Sequence, residues 1–268
     1  MIGKLNERAS VYYCGDDFSS LSGVDHDAVN MMEMELVEKV DLILVASETL
    51  AQKFPAHKTV MIPHGVDAQQ FQQPCLRPID LPTGKPIAGF YGSLSEWIDV
   101  ELLTQTATDL PDWDFVFIGP QQTDLSSLKK LPNTYFLDQK KHSELPAYAQ
   151  HWQVSMLPFK DNAQIRSSNP LKLREYLAVG KPIVSTDFPA LDSYRDVVNV
   201  AHSQNSFAEK IRLSALDTAD ENIKSVLDVE SWFDLGQLSG GSGERQRRII
   251  DESWEVRSQA VDELLDIL

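Results

Sequence analysis

SNPLKLREYLAVGKPIVS, residues 168–185, is the stretch that sets the fold expected for the whole chain. Ser168 or Asn169 is a candidate helix cap, because a short polar side chain there reaches the unpaired N–H groups of a first turn. Pro170 suits that turn, since its missing N–H is one the helix does not use. The spacing predicts a helix ending at Val179. Gly180 supplies a left-handed cap, Pro182 forbids continuation, and the β-branched pair Ile183 and Val184 begins a buried strand. At 100° per residue Leu173 and Leu177 share one face, while Lys172 and Glu175, three apart, lie on another beside the open N-terminus.

A first helical turn offers N–H groups and a partial positive charge, which suits phosphate. A carboxylate one turn further in accepts from a vicinal diol such as ribose. A nucleotide satisfies both. The same residues also fit an ordinary surface helix carrying an i,i+3 Lys–Glu pair worth about 0.2–0.5 kcal/mol, so the residues alone leave both readings open.

The wording P-x-K-x-x-E-Y-L-A-x-G-K-P-I-V, residues 170–184, resembles the nucleotide-binding segment of the group 1 glycosyltransferases, two-domain enzymes of GT-B fold that transfer sugar from a nucleotide-sugar donor. The resemblance implies that Glu175 binds the donor ribose as the second acid of a Glu-x7-Glu motif. Eight positions earlier stands Ser167, so the first acid, which the family places near the donor sugar, is absent. That departure bears on the sugar side more than on the nucleotide. IPHGVDAQQF, residues 62–71, is similar to the turn linking the two domains of the family, and the strands and helices before it resemble the tail of the first domain. The stretch before this turn holds roughly two βα units of about 30 residues each, so the chain is expected to enter partway through a first domain. NTYFLDQKKHSELPAYAQHWQVSMLPF, residues 133–159, follows the register of the family's second domain, and DESWEVR, residues 251–257, resembles its terminal helix, which crosses back. The expected division is residues 1–66 as remnant of the acceptor-side domain, 67–243 as donor-binding domain and 244–268 as crossing helix.

Between these motifs, strands are expected near residues 10–13, 41–46, 59–62, 87–91, 115–118, 133–137, 153–157, 183–184 and 197–200, with helices over 27–40, after Ser47, and over 100–107, 143–150 and 207–216. In the helix at 27–40, Val29, Met32, Leu36 and Val37 form the apolar side. Alternating strands and helices imply an α/β fold with a doubly wound parallel sheet, Rossmann-like, accompanied by an incomplete first unit. Gly92, Ser93 and Leu94 follow the 87–91 strand at its carboxyl end, where such sheets bind ligands. Their backbone N–H groups are candidates for a diphosphate, against the alternative of a plain βα turn. The polar loop 160–168 carries Lys160 and Arg166, which with Lys172 are the candidate cations for that diphosphate. Each of the two loop cations is equally readable as a solvated charge. Donor nucleotide-binding residues are therefore expected among Glu175, Lys172, Leu171, Pro170, Gly92, Ser93, Leu94, Arg166 and Lys160.

Other signals carry less. Leu238 to Arg247 is spelled like the signature of ABC-transporter ATPases, but the chain has no GxxxxGK[ST] loop, and SGGSG reads as a flexible connection. Asp112-Trp113-Asp114 is a literal DxD placed at a strand's start, opposite the ligand end. Asp16 and Asp17 read as a solvated loop, and His64 as a packing group in the linker. The six histidines lack metal-ligand spacing.

The composition narrows the partners. The chain has 268 residues, 42% of them apolar, and a formal charge of −16 with a pI near 4.7, which disfavours nucleic acid and anionic membrane. Cys14 and Cys75 form no CxxC pair, which fits a reducing cytosol. With no signal peptide and no apolar run of bilayer length, the expected protein is cytoplasmic, the intact enzyme lying peripheral to the inner membrane. The resemblance implies a retaining, metal-independent glycosyltransferase with no cofactor beyond its nucleoside diphosphate sugar donor, and a carbohydrate or glycolipid acceptor. No catalytic base or nucleophile stands out. A nucleotide-sugar epimerase of related fold, or an inactive nucleotide-binding module, fits the same residues.

Overall fold

The computed structural model describes residues 2–21, 23–218 and 241–268. A smaller unit comes first: β1 (Val11–Cys14), α1 (His26–Lys39), β2 (Leu42–Val45), α2 (Glu48–Ala51) and β3 (Thr59–Met61), with the strands parallel in the order β1-β2-β3. The larger unit runs through α3 (Ala68–Gln72), β4 (Ile87–Tyr91), α4 (Val100–Asp109), β5 (Asp114–Ile118), β6 (Thr134–Leu137), α5 (Leu145–Ala149), β7 (Val154–Leu157), α6 (Ala163–Ser167), α7 (Leu171–Val179), β8 (Ile183–Thr186), β9 (Asn199–Ala201) and α8 (Gln204–Thr218). Two further helices, α9 (Ser242–Arg248) and α10 (Trp254–Leu265), end the chain.

The larger sheet is parallel throughout, in the order β6-β5-β4-β7-β8-β9. Counted from β4, that is 3-2-1-4-5-6, the doubly wound arrangement in which the strand order reverses between the first and fourth strands. Helices cover both faces, so the central strands are apolar without alternation: every residue of β4 (IAGFY) and β5 (DFVFI) is buried. From α7, Leu173, Tyr176 and Leu177 pack into this core with no exposed surface. The α/β Rossmann-like expectation therefore holds, with a smaller parallel unit beside the larger one.

The turn at 63–67 joins the two units and is pinned by the end of the chain. Val66 N–H donates to the Glu252 carbonyl at 2.8 Å, and a Cβ on Gly65 would lie 2.7 Å from the Trp254 backbone, so only glycine lets α10 start this close. Glu252 also accepts from Arg174 Nε of α7 at 2.6 Å and from the Tyr194 hydroxyl at 2.6 Å. Arg174 is 3% exposed and donates as well to Asn169, whose own amide donates to the Ala46 carbonyl in the first unit. A chain of polar contacts thus ties the start of α7 to the first unit, the linker and the start of α10.

Several local expectations need correction. The stretch 160–168 is not all loop, because Asn162 caps Ile165 N–H and nucleates the short helix α6. Neither Ser168 nor Asn169 caps α7: Ser168 Oγ donates back to the Ile165 carbonyl, Asn169 is engaged with Ala46 and Arg174, and Pro170 stands at the cap position with no side-chain bond. In α1, Met32 is 67% exposed, and Glu33 takes a core position because Tyr12 and Lys53 reach it at 2.6 Å each. Asp17 is not a solvated loop residue; Lys53, Ser19 and Ser20 all donate to it. Residues 239–240 of the SGGSG stretch lie outside the described residues, and the rest is not a flexible connection, since Gly241 stands at the cap position and Ser242 and Gly243 begin α9. Among the described residues no helix is long and apolar enough to cross a membrane.

Candidate functional site

The strand reversal between β4 and β7 opens a crevice at the carboxyl ends of the strands, and α7 starts beside it. Its nine residues end at Gly180, where φ is +81° and a left-handed cap stops the helix as the sequence predicts. At the other end Leu173 N–H bonds to the Pro170 carbonyl at 3.1 Å, leaving the N–H groups of Leu171 and Lys172 as the open donors of the first turn. Pro170, Leu171 and Lys172 line a cleft of about 210 Å³, which the first unit closes with Gly15 and Asp16 and the linking turn with His64.

Gly92 makes room for Lys172. Its φ of +129° is open to glycine alone, and an added Cβ would sit 2.9 Å from Lys172 Cε. The Lys172 ammonium lies over the rings of Phe90 and Phe159, 5.5 and 5.7 Å from their centroids. Burial lowers its pKa below the ordinary lysine range, and the charge of Glu175 restores part of the loss. An ammonium held between aromatic faces beside open backbone donors suits an incoming anion, whose charge would offset the desolvation it already bears.

Glu175, one turn along, is 4% exposed, and each of its carboxylate oxygens has one partner, which leaves lone pairs for further donors. Its Oε2 accepts from the Tyr91 hydroxyl at 2.7 Å, and its Oε1 stands 2.6 Å from His142 Nε2. The His142 side chain is 56% exposed and edges onto Phe71 at 5.6 Å. Glu175 therefore lies within reach of solvent through His142, and it is not among the residues that line the cleft. Tyr91 is held in place from below, its N–H donating to the Tyr176 hydroxyl at 3.1 Å, and burial followed by the Glu175 charge pushes its pKa well up, which keeps it a donor.

The other expected residues fall in three places. Gly92 N–H donates to the Ile118 carbonyl at 2.8 Å and Leu94 N–H to the Pro120 carbonyl at 2.9 Å, so two of the three N–H groups assigned to a diphosphate are tied to the exit of β5; Ser93 lies between them. Gly119 explains that closeness: at φ +137° a Cβ there would lie 2.3 Å from the Gly92 carbonyl. Arg166 forks onto Asp161 at 2.6 and 2.7 Å on the surface. Lys160 is exposed and outside the lining of the cleft.

Two residues that the sequence placed elsewhere enter the cleft. His64 is half-buried, its Nδ1 2.9 Å from the Tyr13 hydroxyl and its ring between Tyr13 and Trp254; burial, with the Arg174 charge, holds its pKa below the ordinary range. It both packs the linker and lines the cleft. Asp16 faces the start of α7, and burial raises its pKa. No spacing rule could have found it, since it comes from the other sheet. Asp114 of the DxD spelling lies at the amino end of β5, away from the cleft. Among the described residues no group of three or more His, Cys, Asp or Glu could hold a metal ion.

Comparisons with known proteins bear on the fold that carries these residues. Residues 85–215, just under half of the chain, match the family model described as glycosyl transferases group 1. The Bacillus subtilis protein TuaH, which carries the provisional name of a teichuronic acid biosynthesis glycosyltransferase, is 25% identical over 201 residues, 67% of this chain and 51% of TuaH. The chain thus spans about half the length of this curated relative. Among solved structures, Anabaena Alr3699/HepE in complex with UDP superposes with a TM-score of 0.70 at 14% identity, covering 96% of this chain and 72% of that one. A glycosyltransferase from Rickettsia africae ESF-5 gives a TM-score of 0.65 at 13% identity, covering 95% and 69%. At such identities the structures speak for the fold, which is that of GT-B glycosyltransferases.

Proposed function

We propose that this chain, whose residues 85–215 match the group 1 glycosyltransferase model, is the donor-binding part of an enzyme that transfers a sugar from a nucleoside diphosphate sugar to an acceptor. One observation carries the reading. The amino end of α7, with Lys172, is aimed into a cleft beyond the carboxyl edge of the sheet, and Glu175 stands one turn further along the same helix. Phosphate oxygens would meet the open N–H groups of Leu171 and Lys172 and the Lys172 ammonium, while the ribose hydroxyls would donate to Glu175. Anabaena Alr3699/HepE, of the same fold, is solved with UDP and with UDP-glucose, which supports a diphosphate nucleoside as the ligand class.

The chemistry follows from where charge develops. When the bond from the anomeric carbon to the diphosphate breaks, its electron pair goes to the leaving phosphate. Donors fixed before the reaction stabilise that charge without reorganising. The helix terminus and Lys172 supply such donors, so the reaction would run without a metal, and with the retention that the resemblance implies. The acceptor, a carbohydrate or glycolipid, would sit toward the first unit. The chain by itself would bind donor and transfer poorly.

Calorimetric titration with UDP, GDP and ADP and their sugar conjugates tests the reading: one base series should bind, and Lys172→Met should weaken it. Absence of binding for every series would remove the donor-site assignment. Product analysis without acceptor separates transfer from epimerisation, since only an epimerase changes the donor sugar on its own.

A further inference from the structure

Glu175 of α7 is not among the residues lining the cleft, and the position eight residues before it is Ser167, the last residue of α6, which is 7% exposed and whose carbonyl accepts from Ser47 Oγ at 2.6 Å. The helix α7 therefore offers the cleft no carboxylate. The cleft contains one all the same, brought by the first unit. Asp16 leaves the end of β1 and lines the same 210 Å³ space as Pro170, Leu171 and Lys172.

The position of Asp16 is built rather than incidental. Cys14, fully buried, donates to the Asp16 carbonyl at 3.2 Å, and the Asp17 N–H donates to Asp16 Oδ1 at 2.8 Å. The neighbouring cation, Lys53, is taken by Asp17 and Glu33 at 2.7 and 2.6 Å. Burial, the largest influence on Asp16, raises its pKa, and the Gln164 amide from α6 offsets part of the rise. Asp16 is thus a carboxylate facing a cleft whose cationic end lies at α7. A phosphate would be repelled by it. A neutral molecule rich in hydroxyl groups would donate to it.

We propose that Asp16 is the sugar-binding carboxylate of this site, accepting hydrogen bonds from hydroxyls of the transferred sugar while the diphosphate lies at the start of α7. The order of the groups supports it. Glu175, outside the lining of the cleft, marks the ribose end, the open N–H groups of Leu171 and Lys172 mark the diphosphate at one wall of the cleft, and Asp16 stands in the wall that the first unit brings to the same space. The carboxylate missing from the helix is supplied across the boundary between the two units, so the sugar is sensed only when the units are packed as they are here.

This inference rests on the donor-site reading, and one experiment separates the two. UDP, GDP and ADP, and the glucose conjugate of each, are titrated by calorimetry into the full chain and into Asp16→Asn, a near-isosteric change whose folding is checked by its melting temperature. The expected result is that the glucose conjugate of the preferred base binds the wild type more tightly than the parent diphosphate. Asp16→Asn should lose at least about tenfold of that extra affinity, as for a hydrogen bond to a charged group, and bind the parent diphosphate within about twofold of wild type. Equal weakening of diphosphate and conjugate, no change in either, or no preference of the wild type for any conjugate would overturn the assignment of Asp16 while leaving the donor site standing. A wild type that binds none of the six would overturn both.

Discussion

Replacing Glu252 by leucine should damage this protein more than almost any other single change outside its apolar core. Glu252 accepts from Arg174 Nε at 2.6 Å, from the Tyr194 hydroxyl at 2.6 Å and from Arg257 at 3.3 Å. Arg174 is 3% exposed, so removing its partner leaves a guanidinium charge with little access to water, its remaining contacts being Asn169 and the face of Tyr194. Breaking a buried pair from one side costs about 3–5 kcal/mol. At roughly 2–4 °C per kcal/mol for a chain of this size, that is a fall in melting temperature of about 6–20 °C. Thermal unfolding of wild type, Glu252→Leu, Arg174→Met and the double variant closes a cycle. The double variant should be more stable than Glu252→Leu alone, because no unpaired charge remains, with a coupling of at least about 1.5 kcal/mol. A Glu252→Leu protein within about 1 kcal/mol of wild type, or strictly additive changes, would refute the claim that the start of α10 fixes the aim of α7.

Other outcomes follow from the same contacts. Gly92→Ala forces a side chain onto a φ of +129° and a Cβ to within 2.9 Å of Lys172 Cε, so it should cost about 1–3 kcal/mol of stability in urea unfolding and also weaken diphosphate binding; loss of neither would contradict the packing described. Binding of a diphosphate should raise the depressed pKa of Lys172, so affinity is full below the free protein's Lys172 pKa and declines as pH rises through it, starting on the acid side of the ordinary lysine range. Lys172→Met should flatten that alkaline decline, and an unchanged profile would remove Lys172 from the anion site. His142→Ala leaves Oε1 of Glu175 without its 2.6 Å partner, so it should alter affinity for nucleoside diphosphate while leaving that for inorganic pyrophosphate within about twofold. Equal effects on both ligands would mean that His142 does not act through the ribose end.

The sequence carried the skeleton of the fold because its signals are local. β4 spans residues 87–91 as expected from a run of apolar and small residues before a turn glycine, and α7 ends at Gly180 because only a left-handed residue satisfies the last carbonyls. Its start was harder to read. Ser168 and Asn169 have the chemistry of caps, but tertiary partners outbid the helix: Asn169 is drawn to Ala46, 123 residues earlier in the chain. The short α6 escaped notice because five residues give no periodicity, leaving Asn162 as its sole signal. Met32 and Glu33 exchanged roles because Lys53 and Tyr12 make burial of a carboxylate tolerable, and neither is a neighbour along the helix.

The site divides in the same way. Lys172 and Glu175 were legible from one helix, whose period puts them on a common side. Their surroundings were not. His142 reaches Glu175 across 33 positions, Asp16 faces α7 from another sheet, and Arg166, chemically apt for a phosphate, is held by Asp161 five residues before it. Residue type and spacing indicate which groups can do the chemistry; only packing decides which are left free for a ligand.

The most direct test of the central claim is calorimetric binding of the preferred nucleoside diphosphate to wild type and to Glu175→Gln, with inorganic pyrophosphate as the ligand that lacks ribose. Glutamine keeps an acceptor for the Tyr91 hydroxyl and removes the charge, so the nucleotide should lose about 1.5–3 kcal/mol of affinity, while pyrophosphate, held by the α7 terminus and Lys172, keeps its affinity when both proteins are measured on the acid side of the Lys172 decline. A nucleotide affinity that ignores the substitution, or a pyrophosphate affinity that falls with it, would contradict the assignment of ribose to Glu175 and of diphosphate to the start of the helix.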